Sequence, residues 1–425
     1  MYELTMLQGY HAAGMNDIAV FDFFARELPA ERNFYLVAGL AQVVEYLADL
    51  HFTSEELAWL AGTGRFRPDF LQSLAALRFT GDVDAMPEGT VCFGHEPMLR
   101  ITASLAQAQF IESRVMNLLH YQTLIASKAV RCVLAADGRT LVDFGLRRAH
   151  GAEAGVLSAR ASYLAGFTGT ATALAGAAFG IPVFGTMAHS FIQAHDDEAQ
   201  AFLAFARAQP DNVTLLIDTY DTEAAAHKVV ALAARLRAES IRIAGVRIDS
   251  GDLAAHARNV RAILDAGGLE HVTIFASGNL DEHRIAALLA RGAPIDGFGV
   301  GTRMNVAADA PYLDCAYKLA EYAGIGRRKR SEGKATWPGR KQVFRRFDAG
   351  GHTAGDVLTL ETDDCSGTPL LAPVMRAGRL VAPLPSLAQI RARVQAGVAA
   401  LPEVLRGLGK APTYPVTIAP ALAEA

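Results

Sequence analysis

Five short apolar runs in the second half of the chain end in small or polar residues, and the endings recur at near-constant spacing. Val183-Phe184 leads into Gly185-Thr186-Met187-Ala188-His189-Ser190, and Val213 to Ile217 into Asp218-Thr219-Tyr220-Asp221-Thr222. Ile243 to Ile248 leads into Asp249-Ser250-Gly251-Asp252, Val272 to Phe275 into Ser277-Gly278-Asn279, and Ile295 to Val300 into Gly301-Thr302. From His189 to Asp218, Asp249 and Gly278 the steps are 29, 31 and 29 residues, and the next, to Gly301, is 23. That is the length of one strand, one helix and two loops, repeated. Parallel strands joined this way bring their C-terminal ends to one face, where loops converge on a ligand. The pattern predicts a barrel-like α/β domain and a site at its strand ends.

At 425 residues the chain exceeds one ordinary domain. Half of it is hydrophobic and a fifth charged, enough for a large core and against wholesale disorder. A net charge of −4 argues against a dedicated nucleic-acid binder. Four scattered cysteines without a C-x-x-C pair are expected as reduced thiols of a cytoplasmic protein, and Met1-Tyr2-Glu3-Leu4 lacks the start of a secretory signal. Residues 161–188 carry no Asp, Glu, Lys, Arg or His over 28 positions, long enough to span a bilayer. Their Gly, Ala and Thr content and the Gly180-Ile181-Pro182 break favour instead a tightly packed helix feeding a buried strand, with no membrane partner.

Before the repeats, helical apolar spacing runs from about Phe34 to Leu74, strands are expected around Phe79–Val83, Thr90–Phe93 and Leu99–Ile101, and one long helix over Leu105–Val133. After them come a basic segment, Arg327–Arg346, with nine Lys/Arg and one Glu, a strand at Val357–Leu360 and a helix near Leu387–Leu405. The domains expected are residues 1–103 (α+β), 104–335 (α/β barrel) and 336–425, a tail packing back on the first.

At the strand ends, Asp249 is placed to accept the hydrogen bonds of a vicinal diol or to hold a metal through water, whereas Asp252 fits the N-cap of the next helix. Gly278-Asn279 and Gly301-Thr302 are strand-to-helix turns whose backbone N–H groups and helix N-termini suit phosphate, though tight turns alone have the same composition. His189 shares the face with Asp218 and Asp249, where an imidazole acts as base or phosphoryl acceptor. Phe144, beside Arg147 and Arg148, suits a flat anionic ring. The Arg327–Arg346 run fits a loop holding polyphosphate; a nucleic-acid patch is the competing use and predicts steeply salt-dependent binding.

Taken in order, Leu4-Thr5-Met6, Gly39-Leu40, Glu112 to Asn117, Asp143 to His150, Gly185 to Ser190, Asp218 to Thr222, Arg247 to Leu253, Gly299 to Arg303, Tyr317-Lys318-Leu319, Gly333-Lys334 and Pro338-Gly339 resemble the nicotinate phosphoribosyltransferase family over nearly the whole chain. The resemblance implies an irregular TIM-like α/β barrel with an additional α+β domain formed by the N-terminal part and the C-terminal tail, working as a homodimer. It implies transfer of phosphoribosyl from 5-phosphoribosyl 1-diphosphate to nicotinate, giving nicotinate mononucleotide in NAD salvage. ATP would be co-substrate through a phosphohistidine at His189, and Mg²⁺ would bridge diphosphate oxygens. Asp249, with Asp218 nearby, matches the residue on the ribose hydroxyls; Gly278, Asn279, Gly301 and Thr302 match the phosphate loops. Phe144, Arg147, Thr186 and Arg247 match positions around the pyridine ring and its carboxylate. Tyr2 matches a tyrosine that stacks on the ring across the dimer, although the Thr-Asp that usually precedes it in the family is absent. The related nicotinamide enzyme carries an amide-reading aspartate where this chain has Ala171, which favours the acid as substrate. The quinolinate enzyme shares a motif like Glu112 to Asn117 but lacks the Gly-Thr-Met-Ala-His histidine. A non-catalytic barrel that binds phosphoribosyl compounds is the remaining alternative, and it has no need of His189.

Overall fold

The computed structural model describes residues 1–329 and 336–424, so Gly333 and Lys334 of the basic run lie outside the described residues. Long-range contacts divide the chain into two units: Met1–Ser127 with Ala310–Ala425, and Lys128–Asp309.

The first unit is built on antiparallel sheet. Ile18–Ala25 lies between Cys315–Tyr322 and Pro97–Ser104 in a seven-stranded sheet that continues through Asp82–Ala85 to Ala372–Arg376. All but the first residue of Ile18–Ala25 are buried, which admits the charged Asp22 only because Lys341 Nζ pairs with it at 2.7 Å. A second sheet joins Lys341–Phe347 to Thr353–Leu360, with Val416–Ile418 parallel to the latter. The helical spacing over 34–74 resolves into a short strand, Tyr35–Leu36, and three helices, Leu40–Ala48, Ser54–Gly62 and Pro68–Ala75. Local chemistry makes the breaks: Thr53 and Glu56 form a capping box, and Pro68 occupies the first helical position. Leu60, Phe66, Phe70 and Leu74 bury against Leu4 and Leu7 of an N-terminal helix, Tyr2–Ala12. The single helix expected over Leu105–Val133 is two, Leu105–Phe110 and Glu112–Ala136.

The second unit carries the repeats. Six parallel strands run in the order Gly169–Thr170, Thr140–Asp143, Gly297–Val300, Thr273–Ala276, Ile243–Ile248, Val213–Leu216, a curled half-barrel sheet within a mixed α/β fold. Amphipathic helices return the chain between strands, among them Thr222–Ala238, Leu253–Ala266 and Glu282–Ala290, each burying one apolar stripe. Val183-Phe184 contributes one bridge, Thr170 to Val183, rather than a full strand. The uncharged stretch 161–188 is accordingly not one packed helix. The helix Ala152–Ala165 is buried, but Ala173–Phe179 is a second, short helix with Leu174 63% exposed, and Val183 is 53% exposed. No described helix is long and apolar enough to cross a membrane.

Candidate active site

Every parallel strand stops at the same end of its sheet, and the side chains just beyond meet there. Asp218 follows Val213–Leu216 and Asp249 follows Ile243–Ile248. Asp218 Oδ2 accepts the Asp249 backbone N–H at 2.9 Å and the Ser250 hydroxyl at 2.6 Å, while its Oδ1 is buried without a partner. Ser277, after the neighbouring strand, donates to Asp249 Oδ1. Asp249 Oδ2 then lies 4.0 Å from His189 Nε2, and His189 Nδ1 lies 3.1 Å from Thr219 Oγ1. His189 opens a short helix, His189–Gln193, and its ring is partly exposed. The geometry thus leaves Nε2 as the ring nitrogen turned toward the carboxylate and the open face.

Arg247 is the last but one residue of its strand, and its Nη1 donates to Thr186 Oγ1. Its Nε is buried and unpartnered. Burial pulls the guanidinium below its ordinary range, opposed by Asp249 and Asp218 and reinforced by Arg147. A guanidinium with an unpartnered donor near a second arginine has the chemistry to receive a carboxylate.

The ring turn is fixed from beneath. Phe144 packs over Gly299 and stands 5.9 Å from the Phe275 ring, tilted 48°. At Gly145 a Cβ would fall 1.7 Å from Asn305 Nδ2, so only glycine lets that amide approach. Arg147 and Arg148 follow in a 3-10 turn, and Arg148 Nη1 reaches Thr302 Oγ1 at 3.2 Å. The two glycine turns are joined by Arg303, whose Nε donates to Asn279 Oδ1 at 3.2 Å and whose Nη1 pairs with Asp281 at 3.1 Å. Gly278 has φ +98, and a Cβ there would meet the Asp249 carbonyl oxygen at 2.0 Å. The turn is thus locked against the Asp249 backbone. The helix after it is already capped, since Asp281 accepts from Arg284 N at 2.9 Å, and the helix after Gly301 spans only Thr302–Asn305. The expected phosphate role of the helix N-termini is therefore weakened at both turns, one helix end being capped by its own Asp281 and the other helix spanning four residues.

His189, Asp218, Asp249, Arg247, Thr186, Phe144, Arg147, Gly278, Asn279, Gly301 and Thr302 all belong to the second unit and its strand ends. Tyr2 lies in the other unit, on its first helix, with its hydroxyl 3.3 Å from Ser113 Oγ. Sequence reasoning passed over Thr219, Ser277, Arg303 and Asp143, all inside or beside segments that it marked. Thr219, Ser277 and Arg303 each bond a marked residue and Asp143 bonds the turn beside Phe144, roles that strand-end position alone does not separate from those of their neighbours. Among the described residues no three His, Cys, Asp or Glu side chains are grouped to hold a metal.

Comparison with known proteins points the same way. Family models match in chain order: the nicotinate phosphoribosyltransferase N-terminal domain on residues 1–120, the nicotinate phosphoribosyltransferase family on 139–330 and the C-terminal domain on 362–425. Nicotinate phosphoribosyltransferase pncB2 of Mycobacterium tuberculosis is 50% identical over 420 residues, covering 98% of this chain and 90% of the relative. The Bacillus subtilis nicotinate phosphoribosyltransferase is 37% identical over 368 residues, covering 85% of this chain and 75% of its own. The crystal structure of human nicotinic acid phosphoribosyltransferase superposes with a TM-score of 0.90 at 29% identity, covering 100% of this chain and 98% of that one. With the strand-end cluster inside the catalytic family model and a half-identical relative running almost end to end, the chain belongs to the nicotinate phosphoribosyltransferase family.

Proposed function

We propose that the protein transfers phosphoribosyl from 5-phosphoribosyl 1-diphosphate to nicotinate, releasing nicotinate mononucleotide and diphosphate in NAD salvage, with ATP hydrolysis coupled through His189. The observation that carries the proposal is the meeting of three chemistries at one sheet end: a carboxylate pair (Asp218, Asp249), an open buried arginine (Arg247) and a histidine 4.0 Å from Asp249. Asp249, oriented by Ser277, accepts from the ribose hydroxyls. Arg247 and Arg147 take the nicotinate carboxylate while Phe144 supports the ring, so the pyridine nitrogen faces C1 as the bond to diphosphate breaks. Gly278, Asn279, Gly301 and Thr302 hold the phosphates.

His189 takes the γ-phosphoryl group of ATP at Nε2 as the β,γ P–O bond breaks and ADP leaves, Nδ1 being turned to Thr219. Water later cleaves that N–P bond, so the cycle consumes one ATP by hydrolysis. Magnesium fits as a companion of the diphosphate rather than as a caged ion, because the protein offers the lone buried oxygen Asp218 Oδ1 and no three-ligand set among the described residues. When bound, it supplies charge neutralisation to the leaving group.

Ala171 follows the strand Gly169–Thr170 and offers no side-chain acceptor for an amide N–H, which supports the acid over nicotinamide. The proposal includes a homodimer, supported by the exposed uncharged surface around Leu174 and Val183 beside the His189 segment, with Tyr2 meeting the ring of the partner's substrate. It completes the half-barrel sheet as an irregular barrel, supported by Asn212 Nδ2, which donates to Gly185 O at 3.2 Å across the gap between the two edge segments. A cytoplasmic setting is supported by four cysteines without a disulfide.

The test is to incubate the purified protein with nicotinate, phosphoribosyl diphosphate, magnesium and ATP, following product by mass spectrometry, with nicotinamide and quinolinate in parallel. Nicotinate mononucleotide formed with matched ATP consumption is the expected result. Product from nicotinamide alone would reverse the substrate assignment. Binding of phosphoribosyl diphosphate without turnover would leave a binding protein.

A further inference from the structure

Asp143 ends the strand Thr140–Asp143 with its side chain fully buried, and no cation among the described residues offsets its charge. Three neutral donors do so instead. Oδ1 accepts from Gly145 N at 2.8 Å and from Asn305 Nδ2 at 2.8 Å, and Oδ2 accepts from Thr170 Oγ1 at 2.8 Å. Each donor stands in a different turn of the strand-end face. Gly145 lies between Phe144 and Arg147, and Asn305 ends the short helix that begins at Thr302. Thr170 precedes Ala171, and its backbone bonds Pro182 O at 3.1 Å and Phe184 N at 2.9 Å, which starts the segment running to His189. A carboxylate in this setting is costly to bury: burial raises its proton affinity, and the three donors only partly offset that. An apolar residue would fill the strand end more cheaply, but it would not join three turns.

We propose that Asp143 is a positioning residue that sets the ring turn, the phosphate turn and the Thr170–Ala171 turn against one another, so that the two substrates are held in mutual register. This rests on the phosphoribosyl-transfer reading above. The two oxygens carry different turns, and that makes the role separable from simple support of the fold. Asp143→Ala releases all three turns. Asp143→Asn keeps a carbonyl for Gly145 and Asn305 but sets an amide N–H₂ against Thr170, whose hydroxyl then loses its acceptor while still accepting from Thr172 N. Thr170→Val removes the same bond from the other side.

The experiment measures kcat and both KM values for the whole enzyme and the three variants, with the Asp143→Asn/Thr170→Val double. Asp143→Ala is expected to raise KM for nicotinate and for phosphoribosyl diphosphate, each about tenfold. Asp143→Asn and Thr170→Val are each expected to raise KM for nicotinate about threefold, without adding in the double variant, while KM for phosphoribosyl diphosphate stays within about twofold. Additive effects, or a fall in kcat with both KM values unmoved, overturn the proposal. Amide hydrogen exchange on the same proteins gives a second readout. Asp143→Ala should speed exchange in 144–149, 169–172 and 301–306, and Asp143→Asn in 169–172 alone; unchanged exchange in all three overturns the hub. Should Asp143→Ala fail to fold, the Asn and Val variants carry both readouts. An inactive wild type would sink the functional reading, while the exchange pattern would still decide the role of Asp143.

Discussion

Two largely buried arginines sit in the two units in opposite conditions. Arg345, on the strand Lys341–Phe347, has all three nitrogens bonded: Nε and Nη2 grip Asp356 at 3.0 and 2.6 Å, Nη1 donates to Val91 O at 2.8 Å, and Phe93 lies 5.6 Å from the guanidinium carbon. Tyr414 donates to the same carboxylate at 3.0 Å. Glu96 nearby is pushed well above the usual carboxylate range by burial and then by the Asp356 charge. Burial works against the Arg345 charge, but the bonds to Asp356 outweigh it and push its proton affinity up. Arg247 has one side-chain bond, an idle buried Nε and a proton affinity pulled down by burial. Its neighbour Asp218 likewise keeps an idle oxygen where Asp356 has none. The same residue types therefore serve different ends: the arginine whose three nitrogens all bond the protein holds the fold, and the one with an unused nitrogen among strand-end carboxylates is the candidate to receive a ligand. Its place and not the unused nitrogen alone makes the difference, since Arg100 and Arg406 also keep a buried unpartnered Nε in the first unit.

The largest effect expected on this contrast is at the open end. His189→Ala should lower ATP-coupled product formation about 10³-fold, since under the proposed mechanism it removes the phosphoryl acceptor, while thermal unfolding stays as in the wild type. Parallel assays of nicotinate mononucleotide and released phosphate check both halves. Retained coupling would show that the histidine faces the site without serving it. The arginine pair then gives a crossed result. Arg247→Met should lower kcat/KM for nicotinate about 10²-fold with little change in stability, because it removes a charge that the fold does not use. Arg345→Met should do the reverse and destabilise by about 3–5 kcal/mol, because it strands Asp356 in the core, with the kinetics of the folded fraction preserved. Urea unfolding of both variants decides it, and equal stability losses would erase the distinction between the two regions. Next in size comes Gly278→Ala. A side chain at φ +98 against the Asp249 carbonyl costs about 1–3 kcal/mol, and the displaced turn should raise KM for phosphoribosyl diphosphate more than KM for nicotinate.

Much of the open region was legible beforehand because strand-end chemistry is local. An apolar run followed by Asp218 or Asp249 states both the strand and the exit of the carboxylate in a few consecutive residues, and the structure brings His189, Asp218 and Asp249 to one sheet end. The closed region was not legible, since its partners are far apart in sequence: Ile18–Ala25 pairs with Cys315–Tyr322, and Arg345 contacts Val91. Nothing local in the run Phe21-Asp22-Phe23-Phe24 announces that Asp22 meets Lys341. The same limit explains the uncharged stretch 161–188. Composition told that it avoids charge, but not that its second half turns outward at Leu174 and Val183. Asp143 fell between the two cases. It stands in a segment marked for its aromatic and arginines, and its own part depends on Thr170 and Asn305, which no spacing rule links to it.

The smallest effect brings the contrast down to two residues three positions apart. Asp249 and Asp252 share one turn, yet Asp249 faces Ser277 and His189, whereas Asp252 accepts from Ala254 N and Ala255 N at 3.1 and 3.2 Å and pairs with Arg291 at 2.8 Å. The Arg291 bond, with the Ala255 N–H after it, holds the Asp252 carboxyl down at about 2 against an ordinary 3.8. A depressed value stabilises the fold above the ordinary range, and that contribution is lost as pH falls through about 2. Asp252→Asn keeps a good cap and loses the ion pair, so its melting temperature should lie slightly below wild type at neutral pH. The two proteins should converge in acid, with nicotinate turnover the same in both at neutral pH. Melting curves across the acid range, with one kinetic assay at neutral pH, test this. A turnover defect in Asp252→Asn would mean that the whole turn, and not Asp249 alone, works on the substrate.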